Sequence, residues 1–403
     1  MQNFRFICPT DFIFGKDTEN SVGEEIKKYG KRILLHYGGG HIKKNGLYDR
    51  IIRSLKANEI EYVELGGVKA NPDVEMVREG IRLCREEKLD FILAAGGGSV
   101  IDSAKAIAMG VSYPGDVWDF FVGKAQIEEA LPVGVILTIP ATGSEASNTT
   151  VVTNSEGGHS KRAASGVTNS EGGHSKRAAS GDNIKPVFAI MNPELTYSLP
   201  AYQTAAGGVD IFSHVAERYF TLEPDCGFTD RLCEATMKTV IGCLPEVLSH
   251  PQEYAGRAEI MWTGTIAHNG ILGVGRSEDW GSHMLGHEIT AFYGLTHGAT
   301  LSIIIPNWME YVYKTDVTRF VKYAVNVWNV ENNMDHPEKT ALEGIRRTRD
   351  FFRSVGMPVT LEEAGIDGDR IEEMAENCTK YGPVGGFVTL RKEDCMAIYE
   401  KSK

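Results

Sequence analysis

The sequence predicts an N-terminal α/β, Rossmann-like domain built on a parallel sheet, followed by an all-α C-terminal domain. Three observations point there. Short β-rich runs alternate with helical stretches through the first half, and glycines stand at the strand ends. After about residue 192, long amphipathic stretches follow one another with few β-branched runs between them. At 403 residues, the chain is long enough to build two cores. The expected domains are therefore 1–192 and 193–403.

The elements follow in order. MQNFRFICPTDFIFG reads as an edge strand rather than a secretory leader, because it lacks a basic start and a small-residue cleavage site. RILLHYG (32–38) reads as a strand, and IKKNGLYDRIIRSLKANE (42–59) as one helix. EYVELGG (61–67) is a strand, NPDVEMVREGIRLCREEKL (71–89) a helix, and DFILAAGGG (90–98) a buried strand. VIDSAKAIAMGV (100–111) is a helix, and VGVILTIP (133–140) another strand. In the second half, 204–221, 230–248 and 257–272 read as helices.

One segment stands apart. VTNSEGGHSKRAASG at 152–166 recurs unchanged at 167–181. Solenoid repeats diverge and run longer, so this is a local duplication. VVTN, a turn over EGG, and SKRAAS make one β-hairpin, and a single copy suffices for it. The expectation is a solvent-facing insertion that leaves the fold intact.

Composition narrows the function classes. A net charge of −12 argues against nucleic acid or an anionic membrane as the main partner. The apolar runs are too short and too interrupted by glycine to span a bilayer. Seven cysteines without a CxxC pair fit reduced thiols in the cytoplasm.

Two clusters carry chemistry. Asp210 and His214 stand four apart in GGVDIFSHVAERY, and His283 and His287 stand four apart in WGSHMLGHEITAF. Residues at i and i+4 share a helix face, so each pair presents two polar groups toward one point. His297 follows in GLTHGATL, where Gly298 suggests a helix end or a turn. One carboxylate with several imidazoles suits a divalent zinc or iron ion. A lone histidine is more often a core or surface residue, and His36, His159, His174, His250, His268 and His336 are read that way. Spacing alone leaves both readings open for the clusters.

Upstream, the strand of 90–98 ends in Gly96-Gly97-Gly98, and Ser99 opens a helix. Backbone N–H groups there can close on a pyrophosphate, and the helix N-terminus favours its charge. Asp102 lies one turn in, where an acid near a helix start is also a plain structural feature. In LTIPATGSEAS, Thr138, Thr142, Gly143 and Ser144 can hydrogen-bond a diphosphate or a nicotinamide, although ATGSE serves equally well as a helix start. In HYGGGHIKK, Gly38, Gly39 and Gly40 follow a strand. No acid stands there to hold a ribose 2′-hydroxyl, and Lys43 and Lys44 are close by, which favours NADP(H) over NAD(H).

The stretches YGGGHIKKNG, GGGSVIDSAKAIA, LTIPATGSE, GGVDIFSHVAE, DWGSHMLGHEITA and GLTHGATLSIIIP resemble, in order, the metal-dependent (iron-containing) alcohol dehydrogenase family. Within it they are most similar to the butanol dehydrogenase and NADPH-dependent aldehyde reductase branch. The resemblance implies a dehydroquinate synthase-like architecture and one divalent metal, Fe2+ or Zn2+, on Asp210, His214, His283 and His297. His287 corresponds to a histidine near the nicotinamide that is not a ligand, and we expect it to relay a proton. Cofactor contacts are implied at Gly38, Gly39, Gly97, Gly98, Ser99, Asp102, Thr138 and Thr142. A lysine in the hairpin after ATGSE normally approaches the cofactor, and the duplication offers both Lys161 and Lys176.

The expected activity is interconversion of short- to medium-chain aldehydes and primary alcohols by hydride transfer. A polyol dehydrogenase, or a lyase like dehydroquinate synthase, is the alternative on the same fold. A metallohydrolase would not need the nucleotide-like turns. The family further implies a homodimer through the N-terminal strands. GRSEDW (275–280), Trp262, Phe292 and Tyr293 suggest an apolar substrate pocket, with packing as their equal alternative.

Overall fold

A computed structural model describes residues 1–154 and 175–403. It divides into two compact units, Ile7–Ser198 and Leu199–Lys403, and Met1–Phe6 groups with the second.

The first unit carries strands β1 (Asp11–Phe14), β2 (Arg32–Gly38), β3 (Glu61–Val68), β4 (Phe91–Gly97), β5 (Val133–Ile139), β6 (Thr149–Asn154), β7 (Ser175–Ser180) and β8 (Phe188–Met191). Its helices are α1 (Val22–Ile26), α2 (His41–Lys44), α3 (Leu47–Ala57), α4 (Val74–Glu86), α5 (Gly98–Val111) and α6 (Trp118–Phe121). Among the described residues, six strands pair in the order β1-β8-β5-β4-β2-β3, every pair parallel. Central strands of such a sheet are covered on both faces, which is why β4 and β5 read as near-continuous apolar runs. β1 is an edge strand, as its sequence suggests, but only four residues of the N-terminal run belong to it.

Two local readings need correction. The single helix expected over 42–59 is two, because Gly46 adopts φ 78° and caps α3 from the left-handed region. No helix starts at ATGSE: β5 runs into a turn with Gly143 at φ 62°, and the chain enters β6 directly.

β6 and β7 form the hairpin, antiparallel, with Thr153 opposite Lys176. β6 therefore ends on the first three residues of the first repeat copy, and β7 comes from the end of the second. Lys161 lies outside the described residues.

The second unit is helical: α7 (Ala201–Tyr219), α8 (Gly227–Ser249), α9 (Tyr254–His268), α10 (Gly281–Tyr293), α11 (His297–Val312), α12 (Val317–Trp328), α13 (Pro337–Ser354), α14 (Ile371–Thr379) and α15 (Lys392–Lys401). From Thr204 to Tyr219 every residue of α7 is buried. A helix closed in on all sides is a core element, and its polar residues therefore need partners.

Candidate metal centre

Polar side chains of α7, α10 and α11 converge inside the helical unit. One donor atom each from Asp210, His283 and His297 lies within 4.8 Å of the others, the spread a single ion can bridge. Asp210 Oδ1 is the hub, 3.7 Å from His297 Nε2, 3.9 Å from His283 Nε2 and 3.8 Å from His214 Nε2. Helical spacing brings His214 to Asp210, and close packing brings the other two. A β-carbon built on Gly298 would meet the Ala206 carbonyl oxygen of α7 at 2.0 Å, so only glycine lets the start of α11 approach. Gly298 is thus not the helix end its sequence suggests. Gly294, at φ 70°, ends α10, and His297 opens α11.

The donor set fits a divalent transition ion. Burial, aided by the charges of His268, His283 and Arg218, holds His214 well below the ordinary imidazole range, so the ring keeps a lone pair. His283 Nε2 is buried without a hydrogen-bond partner and points at the carboxylate hub, the position of a ligand atom. His287 stands one turn further along α10, its ring centroid 5.0 Å from that of His297 and 6.2 Å from that of His283.

Three neighbours were not visible as site residues in the sequence. Glu217, fully buried, faces His283 Nδ1. It follows Asp210 by seven residues on the same helix face, a spacing that could have exposed it. His268, grouped above with the background histidines, stacks at 4.5 Å centroid distance on His214 and accepts a hydrogen bond from Arg218 Nη2 at 2.9 Å. Trp280 lies 5.2 Å from His283 and 6.1 Å from His214, with the Arg218 guanidinium 4.6 Å over its ring. Its φ of 63° is strained for a non-glycine residue. Asp279 holds that turn by accepting backbone hydrogen bonds from Gly281, Gly386 and Phe387.

Three other residues of the expected substrate pocket have defined partners. Tyr293 donates to Asp369 at 3.0 Å, Phe292 lies under the Arg370 guanidinium at 4.2 Å, and Arg276 is tied to Asp230 at 2.8 Å.

In the α/β unit the glycine turns are tightly built. A β-carbon at Gly97 would meet Ile139 at 2.9 Å, and one at Gly96 would meet Val100 at 2.4 Å. Ser99 lies in the first turn of α5. Gly39 has open space around it, and Gly40 caps α2 at φ 90°. Thr138 is buried near the end of β5. Ser144 donates to Asp102 Oδ1 at 2.6 Å, so its hydroxyl holds that acid. Burial raises the Asp102 carboxyl to about 6, against the opposing effects of Lys105 and of the Ser144 hydroxyl. Lys105, itself buried, donates to the carbonyls of Ser147 at 2.8 Å and Thr149 at 3.1 Å and so fastens the loop after β5 to α5. Lys176 donates to Asn71 Oδ1 at 3.0 Å, and its charge is felt at Asp102. Lys43 sits between the rings of Tyr37 and Tyr48 and pairs with Glu64 at 3.3 Å. Burial acts to raise the Glu64 carboxyl, but hydrogen bonds from Tyr37, Tyr48 and Lys43 hold it below its ordinary value.

Comparison with known proteins decides the family. Residues 9–166 match the model described as iron-containing alcohol dehydrogenase, and 204–403 match the C-terminal model of the Fe-containing alcohol dehydrogenase family. The chain belongs to the iron-containing alcohol dehydrogenase family. Among its relatives is the NADH-dependent butanol dehydrogenase A of Clostridium acetobutylicum, 40% identical over the whole length of both chains. The NADPH-dependent aldehyde reductase YqhD of Escherichia coli is 37% identical, again over both full lengths. A crystal structure of NADH-dependent butanol dehydrogenase A from Thermotoga maritima shares the fold at a TM-score of 0.91 and 37% identity, covering 100% of this chain and 99% of the other. The iron-containing alcohol dehydrogenase fold, a parallel-sheet α/β unit joined to a helical one, is that expected from the sequence. A nucleotide cofactor and a metal are properties of this family, and among the described residues no helix is long and apolar enough to cross a membrane.

Proposed function

We propose that the protein interconverts short- to medium-chain aldehydes and primary alcohols, using NADP(H) in preference to NAD(H) and one divalent ion, Fe2+ or Zn2+, held by Asp210, His214, His283 and His297. The convergence of Asp210, His283 and His297 within 4.8 Å of one another, with His214 Nε2 3.8 Å from Asp210 Oδ1, carries this reading. When bound, the ion supplies Lewis acidity toward a carbonyl and the reduced nicotinamide supplies hydride.

The chain's own residues bind and orient. Gly97, Gly98 and Ser99 offer backbone N–H groups at the start of α5 to the pyrophosphate, supported by the helix dipole. Thr138 and Thr142 contribute hydroxyls, and Asp102 fixes the turn through Ser144. Gly38, Gly39 and Gly40 leave room at the end of β2, where Lys43 and Lys44 favour a 2′-phosphate. Lys43 would have to leave Glu64 to reach it. Lys176 is the hairpin lysine we assign to the cofactor, because its charge reaches Asp102. His287 carries the proton to or from the substrate oxygen, since imidazole exchanges protons near neutral pH.

The boundary near residue 192, a cytoplasmic location and a homodimer belong to the same reading. All seven cysteines are free, which suits a reducing compartment. β1 ends the sheet with Phe14 38% exposed, an edge that a second copy can cover. The test is a steady-state screen of aldehydes with NADPH and NADH, on protein of measured metal content. Faster reduction with NADPH is expected, and absence of cofactor oxidation with every aldehyde would refute the reading.

A further inference from the structure

We propose that Glu217 is the positioning residue that fixes the tautomer and orientation of His283 and so sets the strength of the metal site; this rests on His283 being a ligand, as assigned above. Glu217 is 0% exposed, and a carboxylate that deep is tolerated only when its oxygens are satisfied. Its partners come from one turn of α10. Oε1 accepts the backbone N–H of His283 at 2.9 Å and the hydroxyl of Ser282. Oε2 faces His283 Nδ1.

Oε1 already accepts two hydrogen bonds, which leaves Oε2 as the acceptor facing the ring, and this contact places the ring hydrogen on Nδ1. Nε2 then turns its lone pair toward Asp210 Oδ1, 3.9 Å away. The other tautomer would set two lone pairs against each other at Glu217 and aim an N–H into the ligand cluster. Outer carboxylates of this kind orient a ligating histidine and make it more basic.

Gln is the discriminating replacement, because it keeps the shape. Three donors would then meet one acceptor oxygen. If that oxygen stays with Ser282 and the His283 N–H, the amide group faces Nδ1 and selects the tautomer with its hydrogen on Nε2. If the amide flips, it confronts both Oε1 donors instead.

Metal-depleted protein is titrated with Zn2+ against a chromophoric chelator, and Co2+ is added separately to read the visible bands of the site. Glu217→Gln should bind Zn2+ about 10–100-fold more weakly and shift the Co2+ bands, at unchanged far-ultraviolet circular dichroism. Ser282→Ala, which removes one donor without touching Nδ1, should bind as the parent does, and His283→Ala should lose the ion. Parent-like Zn2+ affinity and Co2+ bands in Glu217→Gln, with binding lost in His283→Ala, overturn the proposal alone. Retained affinity in His283→Ala overturns the ligand assignment and this proposal with it. If Glu217→Gln does not fold, long-range proton–nitrogen NMR of the metal-depleted parent decides instead: hydrogen on Nδ1 of His283 supports the proposal, and hydrogen on Nε2 overturns it.

Discussion

Thr142 lies so close to Gly98 that a β-carbon on the glycine would meet the threonine hydroxyl oxygen at 2.3 Å. Two turns that are 44 positions apart in sequence therefore form one surface at the start of α5. Gly98→Ala is expected to push Thr142 aside and raise KM for the cofactor about tenfold or more, since displacements near 1 Å at a positioning site are costly. Gly98→Ala with Thr142→Ala should recover thermal stability but not cofactor affinity. Calorimetry and fluorescence titration with NADPH check the two parts separately.

At the metal centre, adjacent turns of α10 carry different expectations. His283→Ala should lose bound metal and activity together. His287→Ala should keep the metal and lose rate by roughly 10²–10⁴-fold, the usual range for general acid–base residues. Metal analysis beside kcat separates them, and full occupancy in His283→Ala would sink the ligand assignment.

The hairpin lysine gives a prediction for residues that share one sequence context. Lys176→Ala should raise KM for NADPH, whereas Lys161→Ala should leave it near the parent value. The reverse pattern would move the cofactor contact to the other copy.

A pH dependence follows from Asp102. Burial raises its carboxyl to about 6, from 3.8 for an ordinary aspartate. Between these values the folded chain holds a proton that the unfolded chain has released. Its stabilising contribution is complete below about pH 4 and is lost as pH rises through 6. Melting temperatures of the parent should therefore fall relative to those of Asp102→Asn between pH 4 and 7. Lys105, lowered to about 8 chiefly by burial, titrates outside that window. A constant difference between the two proteins would refute the assignment.

The sequence was informative wherever the relevant geometry is local. Asp210 with His214, and His283 with His287, are legible because helical spacing alone puts each pair on one face. The parallel sheet is legible because buried strands alternate with helices over short distances. His268 is not, because its place beside His214 depends on α7 and α9 packing together, which no spacing within one helix reports; Glu217 shares the face of Asp210 seven residues on, but only the packing of α10 against α7 shows what it touches. Gly298 misled for the same reason: its lack of a side chain serves contact with Ala206 of another helix, not a turn of its own. The break at Gly46 is not legible because a single glycine inside a helical pattern is tolerated, and only the backbone shows its φ of 78°.

The hairpin whose first strand ends inside one repeat copy and whose second lies in the other has a consequence for excision. Because the copies are identical, removing 152–166 or 167–181 yields the same polypeptide, so "which copy" has no molecular meaning. In that shortened chain Lys161 and Lys176 collapse into one residue. The pairing of Thr153 with this lysine, and of Asn154 with the serine before it, can persist across a connection reduced to SEGGH. The duplication changes the length between two strands while leaving their register unmarked, and a single deletion variant restores the shorter connection.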